Sequence, residues 1–148
     1  MEIIAAYSQH TFLPASHFSY DAADEVINYY PQALKTNSGK IALLHEISHC
    51  ELGHFHYVSD LQLYAMEIDA WLLTRKLAQQ FNIPIEEDYI DECIESYNVW
   101  IEKRGTCPRC STFCAQKSET EFECYNCSTC WRVSASPQVR TQRRIVAG

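Results

Sequence analysis

Apolar positions recur at helical spacing in three stretches of the chain. Ile41, Leu43, Leu44, Ile47 and Leu52 mark the first, with Asn37 or Ser38 placed to cap its start and Gly53 to end it. The second covers residues 59–81. There Leu61, Tyr64, Ala65, Ile68, Leu72 and Leu77 fall on a helical repeat, and Ser59 and Gln62 have capping-box spacing. Asn82-Ile83-Pro84 breaks the pattern. A third helix follows over residues 85–103, with a wide stripe of Tyr89, Ile90, Cys93, Ile94, Tyr97, Trp100 and Ile101 that reads as core. Cys50 and Cys93 read as buried thiols. Ahead of the helices, residues 25–30 (EVINYY), stopped by Pro31, read as a strand. Residues 3–7 read as a strand or an ordered start, and residues 11–20, with Pro14, as a loop. Past Gly105, Glu121, Phe122 and Glu123 and then Trp131, Arg132 and Val133 alternate as short antiparallel strands do. The pattern predicts an α+β protein, with a helical domain over residues 1–104, a small β module over 105–134 and a tail over 135–148.

Composition sharpens this division. Hydrophobic residues at 47% and aromatics at 12% exclude a disordered chain, and 148 residues suffice for one modest core plus an appendage. The net charge of −7 is unevenly spread. Residues 1–102 carry 4 basic and 16 acidic side chains, net −12, whereas residues 103–148 carry 8 basic and 3 acidic, net +5. Arg132, Arg140, Arg143 and Arg144 make the tail a segment that could contact nucleic acid or an acidic protein, although the overall acidity opposes attraction to DNA. The start, MEIIAAYSQHTFLP, lacks the features of a secretory signal, and no apolar run approaches a membrane span. No internal repeat is evident.

The first helix carries the chemistry. In LLHEISHCELGH, His45, Glu46 and His49 form H-E-x-x-H. Residues at i and i+4 share a helical face, so both imidazoles can reach one zinc ion, while Glu46 projects beside it as a general base for zinc-activated water. A catalytic zinc needs a third protein ligand. A metzincin would place a histidine where Phe55 stands, so that pattern fails. His54 and His56 follow His49 too closely and read as a turn pair or as supporting groups. Glu67, among Ala65, Met66, Ile68, Ala70 and Trp71 on the second helix, is the better third ligand, because a metal removes the cost of burying its carboxylate. Tyr64, His54 and His56 are candidates for stabilising an oxyanion.

HEISHCELGH followed by MEIDAW resembles the ImmA/IrrE-type metallopeptidases, a compact branch of the gluzincins, over about residues 20–80. The resemblance implies a zincin-like domain that hydrolyses peptide bonds, with His45, His49 and Glu67 on zinc and Glu46 as base. It implies that the strand at residues 25–30 borders the cleft and pairs with an extended protein or peptide substrate. It also suggests limited cleavage of a regulatory protein. The acidic run is Glu67-Ile68-Asp69-Ala70, and Trp71 occupies the place where many gluzincins carry an aspartate. Asp69 and Asp60 remain as candidates for that carboxylate's role.

Cys107-Pro108-Arg109-Cys110 and Cys124-Tyr125-Asn126-Cys127 are two C-x-x-C knuckles at zinc-ribbon separation. Four thiolates around a structural zinc would let so short and polar a segment fold. A shifted second knuckle, Cys127 with Cys130, is the alternative register, and Cys114 and Cys130 are otherwise left over as buried thiols or neighbours. Cysteines in knuckles suit a reducing cytoplasm better than a disulfide framework. The expectation is therefore a cytoplasmic zinc metallopeptidase with two zinc ions, one catalytic and one structural. The rival is a non-catalytic zinc-binding adaptor, or a nucleic-acid-associated regulator using the ribbon and the Arg-rich tail.

Overall fold

Thr36 begins the helix that carries the histidines. Its backbone is extended (φ −107°, ψ 155°) and its hydroxyl accepts the Gly39 N–H at 3.1 Å, so the cap is Thr36 and not Asn37 or Ser38. A single 3₁₀ turn, Ala33–Lys35, precedes it. That turn lies so close that a Cβ on Gly39 would meet the Ala33 carbonyl oxygen at 2.0 Å, which is why a glycine stands inside the first helical turn. In this computed structural model, which describes residues 2–135 and 140–146, the fold is α+β: four helices and two three-stranded sheets. In chain order they are α1 (Glu2–Ala6), β1 (Thr11–Pro14), β2 (Ser19–Asp21), β3 (Val26–Tyr29), α2 (Asn37–Glu51), α3 (Asp60–Gln80), α4 (Glu87–Gly105), β4 (Glu121–Glu123), β5 (Cys130–Val133) and β6 (Arg143–Val146). Contacts divide the chain into two units. One holds the described residues of Met1–His56 with Met66–Ile90, the other Tyr57–Ala65 with the described residues of Asp91–Gly148.

The first unit's sheet has the order β1-β3-β2. β3 is central, parallel to β1 from Thr11↔Val26 to Pro14↔Tyr29 and antiparallel to β2 through Tyr20↔Ile27. Two expectations change here. Residues 3–7 lie in a helix and its exit, and residues 11–20 hold a strand and the start of another. Pro14 is tolerated because it ends an edge strand, where a missing donor costs no ladder bond. The strand expected at residues 25–30 is the middle of the sheet, so its edges are already paired. Ile27 is fully buried, with Ile41, Leu43, Leu44 and Ile47 of α2 in the same unit's core. α2 and the later part of α3 meet through small side chains: the buried Ser48 and Thr74 hydroxyls lie 3.0 Å apart and donate to the Leu44 and Ala70 carbonyls.

The inward face of α3 is only partly the expected one: Leu77 is buried, but the rest of the stripe shifts. Leu61 and Leu72 are exposed, at 64% and 49%, while Asp60, Leu63, Glu67, Ala70, Trp71, Thr74, Leu77 and Ala78 are buried. These follow helical spacing, but Asp60, Glu67 and Thr74 are polar, so an apolar count picks the wrong stripe.

In the second unit, Leu63, Trp100 and Ile101 form a cluster with Tyr57, Tyr64 and Tyr97 packed on it. Another cluster joins Cys107, Cys114, Phe122, Cys124, Trp131 and Val133, in which the Phe122 and Trp131 rings stack at 5.3 Å. The strands β4 and β5 pair as expected, through Phe122↔Trp131. The basic tail does not simply trail away: β6 returns to pair with β5, from Cys130↔Val146 to Val133↔Arg143. Residues 136–139 and 147–148 of that tail lie outside the described residues. Arg104 is fully buried. It bonds Asp60 Oδ2 at 2.7 Å and the Glu119 carbonyl at 2.8 Å, reaches the Ser134 carbonyl, and lies 4.4 Å from the centre of the Trp100 ring.

Candidate metal centres

Helical spacing puts His45 and His49 on one face of α2, and α3 lays Glu67 across them. His45 Nε2 lies 3.1 Å from His49 Nε2 and 3.2 Å from Glu67 Oε2, and His49 Nε2 lies 3.5 Å from Glu67 Oε1. Three ligands on a tetrahedral ion at about 2.0–2.1 Å would be separated by roughly 3.3 Å, and these spacings, with one Glu67 oxygen near each histidine, are close to that. Glu67 is 6% exposed. Burial pushes its carboxyl up, but hydrogen bonds from His45 and His49 outweigh that and bring it down to about 2. Both imidazoles keep a little solvent access, with 12% and 13% of their side-chain surface exposed, which admits water.

Glu46 lies in the same electrostatic neighbourhood. Burial pushes its carboxyl above the usual carboxylate range, opposed by His45, His49 and a backbone hydrogen bond. That bond comes from the Tyr20 N–H to Oε2 at 2.7 Å. The sheet edge beside Glu46 is therefore β2, and not the strand at residues 25–30.

The chain reverses at Gly53 (φ +64°), a conformation that favours glycine. The reversal brings His54 back to α2, where its Nδ1 lies 2.9 Å from His49 Nδ1. His54 thus meets the side of His49 that faces away from Glu67 and His45. Burial lowers the His54 pKa, with the neighbouring His49 acting in the same direction and Asp69 opposing. His56 is exposed. Tyr64 packs on the Leu63, Trp100 and Ile101 cluster of the second unit, and Asp60 is bound by Arg104 there. Two groups escaped sequence reading. Trp71 stacks on His45 with ring centroids 4.1 Å apart. His10 contacts Glu51 through Nε2 and lies 3.5 Å from Cys50 Sγ through Nδ1. Cys50 and Cys93 are half-buried rather than buried. Nothing local in the sequence links His10 to a site 40 residues away.

The second candidate centre is made by the knuckles. The sulfurs of Cys107, Cys110, Cys124 and Cys127 all lie within 4.8 Å of one another, with Cys107–Cys127 at 3.7 Å and Cys110–Cys124 at 3.5 Å. A disulfide needs about 2.05 Å, whereas sulfurs at about 2.3 Å from a tetrahedral ion stand roughly 3.8 Å apart. The local reason is a repeat overlooked in the sequence: Cys-x-x-Cys-Ser-Thr occurs at Cys107–Thr112 and again at Cys124–Thr129. In both copies the serine is left-handed (Ser111 φ 60°, Ser128 φ 56°) and its N–H bonds the first cysteine's carbonyl. In both, the threonine hydroxyl approaches the second cysteine, Thr112 at 3.3 Å from Cys110 and Thr129 at 3.2 Å from Cys127. Hydrogen bonds from Thr112 hold the Cys110 thiol down at about 5, and those from Thr129 lower Cys127 likewise. Burial pushes Cys107 and Cys124 up. Cys130 sits in β5, outside the group, and Cys114 is buried in the module's core.

Both groups can hold a metal ion. No protein-family model, curated protein or solved structure matches the chain. Among the described residues, no helix is long and apolar enough to cross a membrane.

Proposed function

We propose that this protein is a zinc-dependent metallopeptidase of the ImmA/IrrE-like kind, with a catalytic zinc on His45, His49 and Glu67 and a structural zinc on Cys107, Cys110, Cys124 and Cys127. The observation that carries the reading is the donor set of the first centre. Two nitrogens and a carboxylate converge as donors to one ion would, leaving a tetrahedral ion one open position, and a second carboxylate, Glu46, follows the first histidine. A purely structural site would have no use for that carboxylate. Zinc held there would supply Lewis acidity, lowering the pKa of water and polarising a carbonyl.

The side chains provide the rest. Glu46 Oε2 is engaged by the Tyr20 amide, which fixes the carboxylate and leaves Oε1 to accept a proton from the attacking water. Burial makes Glu46 a stronger base than an exposed carboxylate, so it can take that proton and return it to the leaving amine. β2 ties the base to a sheet edge, and an extended peptide laid near that edge would be recognised through its backbone with limited sequence selectivity. Limited cleavage of a regulatory protein in the cytoplasm is the narrower form of the proposal. The test is Glu46→Gln. It should retain zinc and the fold while hydrolysis of a peptide library falls by several orders of magnitude, since the ligands remain and the base is gone. Near-normal turnover in Glu46→Gln would remove the peptidase mechanism.

A further inference from the structure

A metal-bound imidazole ordinarily gives its second N–H to an acceptor, which fixes the ring plane and strengthens the donor nitrogen. His49 fits this pattern, with Nδ1 2.9 Å from His54 Nδ1. His45 does not. Its Nδ1 is buried and has no hydrogen-bond partner among the described residues. What holds the His45 ring is an indole face: Trp71 stacks on it at 4.1 Å between centroids with 26° between planes. Trp71 is 5% exposed, and its own Nε1 is also buried without a partner among the described residues. The indole therefore meets His45 with its face and not with its N–H. Tyr89 lies edge-on to it, with ring centroids 5.8 Å apart. Trp71 lies one turn after Glu67 on α3, so the carboxylate facing His45 Nε2 and the ring backing His45 ride one helical face.

We propose that Trp71 is a positioning residue for His45, setting by stacking the ring plane that a hydrogen bond sets for His49. The inference rests on the metal-centre reading above. A π-face fixes orientation without making an ordinary hydrogen bond to the ring, so the two imidazoles are held by different means.

The test uses the full chain with its thiolate site filled with zinc, titrated with cobalt(II) and followed by visible absorption. Unaltered protein should bind one further cobalt, and His45→Ala should not. Trp71→Phe keeps an aromatic face and should bind close to wild type. Trp71→Leu keeps an apolar side chain without a face, and should bind about 10- to 100-fold more weakly with an altered visible band. Proton NMR of the unaltered zinc-loaded protein needs no variant to fold: His45 ring protons, lying over the indole, should resonate upfield of those of His49. Equal binding by Trp71→Leu and Trp71→Phe, or unshifted His45 resonances, would overturn the assignment of Trp71. Wild type and His45→Ala binding alike would overturn the metal centre itself, a result the Phe and Leu comparison cannot mimic.

Discussion

His54 and Glu67 approach the histidine pair from opposite sides, and this separates their roles. For His49 to coordinate through Nε2 as a neutral imidazole, its proton must sit on Nδ1, which then donates to His54 Nδ1. His54 must in turn carry its own proton on Nε2, and burial, which lowers its pKa, keeps it neutral enough to accept. Zinc titrations of three variants should therefore rank cleanly. Glu67→Ala removes a ligand and should lose most affinity. His54→Ala should weaken zinc by about 10- to 100-fold, and the exposed His56→Ala should leave it unchanged. If His54→Ala or His56→Ala abolishes binding while Glu67→Ala binds normally, the donor set is wrong. His45, Glu46 and His49 were legible in the sequence because helical geometry converts spacing of four into a shared face. Trp71 was legible only as an anomaly beside Glu67. Its role depends on a contact between two helices that no local pattern encodes.

At the scale of elements, the first turn of α2 is set by a close approach. Gly39→Ala would raise intrinsic helix propensity by about 1 kcal/mol. Its Cβ would, however, meet the Ala33 carbonyl oxygen at 2.0 Å, and backbone cannot give way cheaply. The expected outcome is net destabilisation of about 1–3 kcal/mol, read from a shifted denaturation midpoint at unchanged slope. A stabilised Gly39→Ala would show that the turn and the helix are not packed this way. Elements with strong periodicity, α2 to α4, were readable. The face of α3 was not, since its buried stripe is interrupted by Asp60, Glu67 and Thr74, whose burial is repaid by partners distant in sequence. β1 and β2 are four and three residues long and too short for alternation to register, and β6 hid inside a stretch whose charge suggested a free tail.

For the whole molecule, two kinds of cross-link can be tested. One is the pair of groups that could hold metal ions. Elemental analysis is expected to find two zinc ions, with His45→Ala and Cys110→Ser each removing one, and only Cys110→Ser should unfold the module around the knuckles. A single zinc with all knuckle thiols reactive would contradict this. The other is the buried ion pair of the second unit. Asp60→Ala strands the Arg104 guanidinium, and unfolding should become easier by about 3–5 kcal/mol, whereas an exposed pair such as Lys117–Glu123 should contribute little. The Asp60 pair also orders events in time. His45 and Glu67 are 22 residues apart, but Asp60 waits for Arg104, 44 residues on, and for Gln116, 56 residues on. At ribosomal speeds of about 5–20 residues per second, the Gln116 delay is roughly 3–11 seconds. A nascent chain can thus bring the histidines and Glu67 together while the opening turn of α3 still lacks its anchor, so the His45, His49 and Glu67 group can be assembled before the thiolate module has emerged from the ribosome.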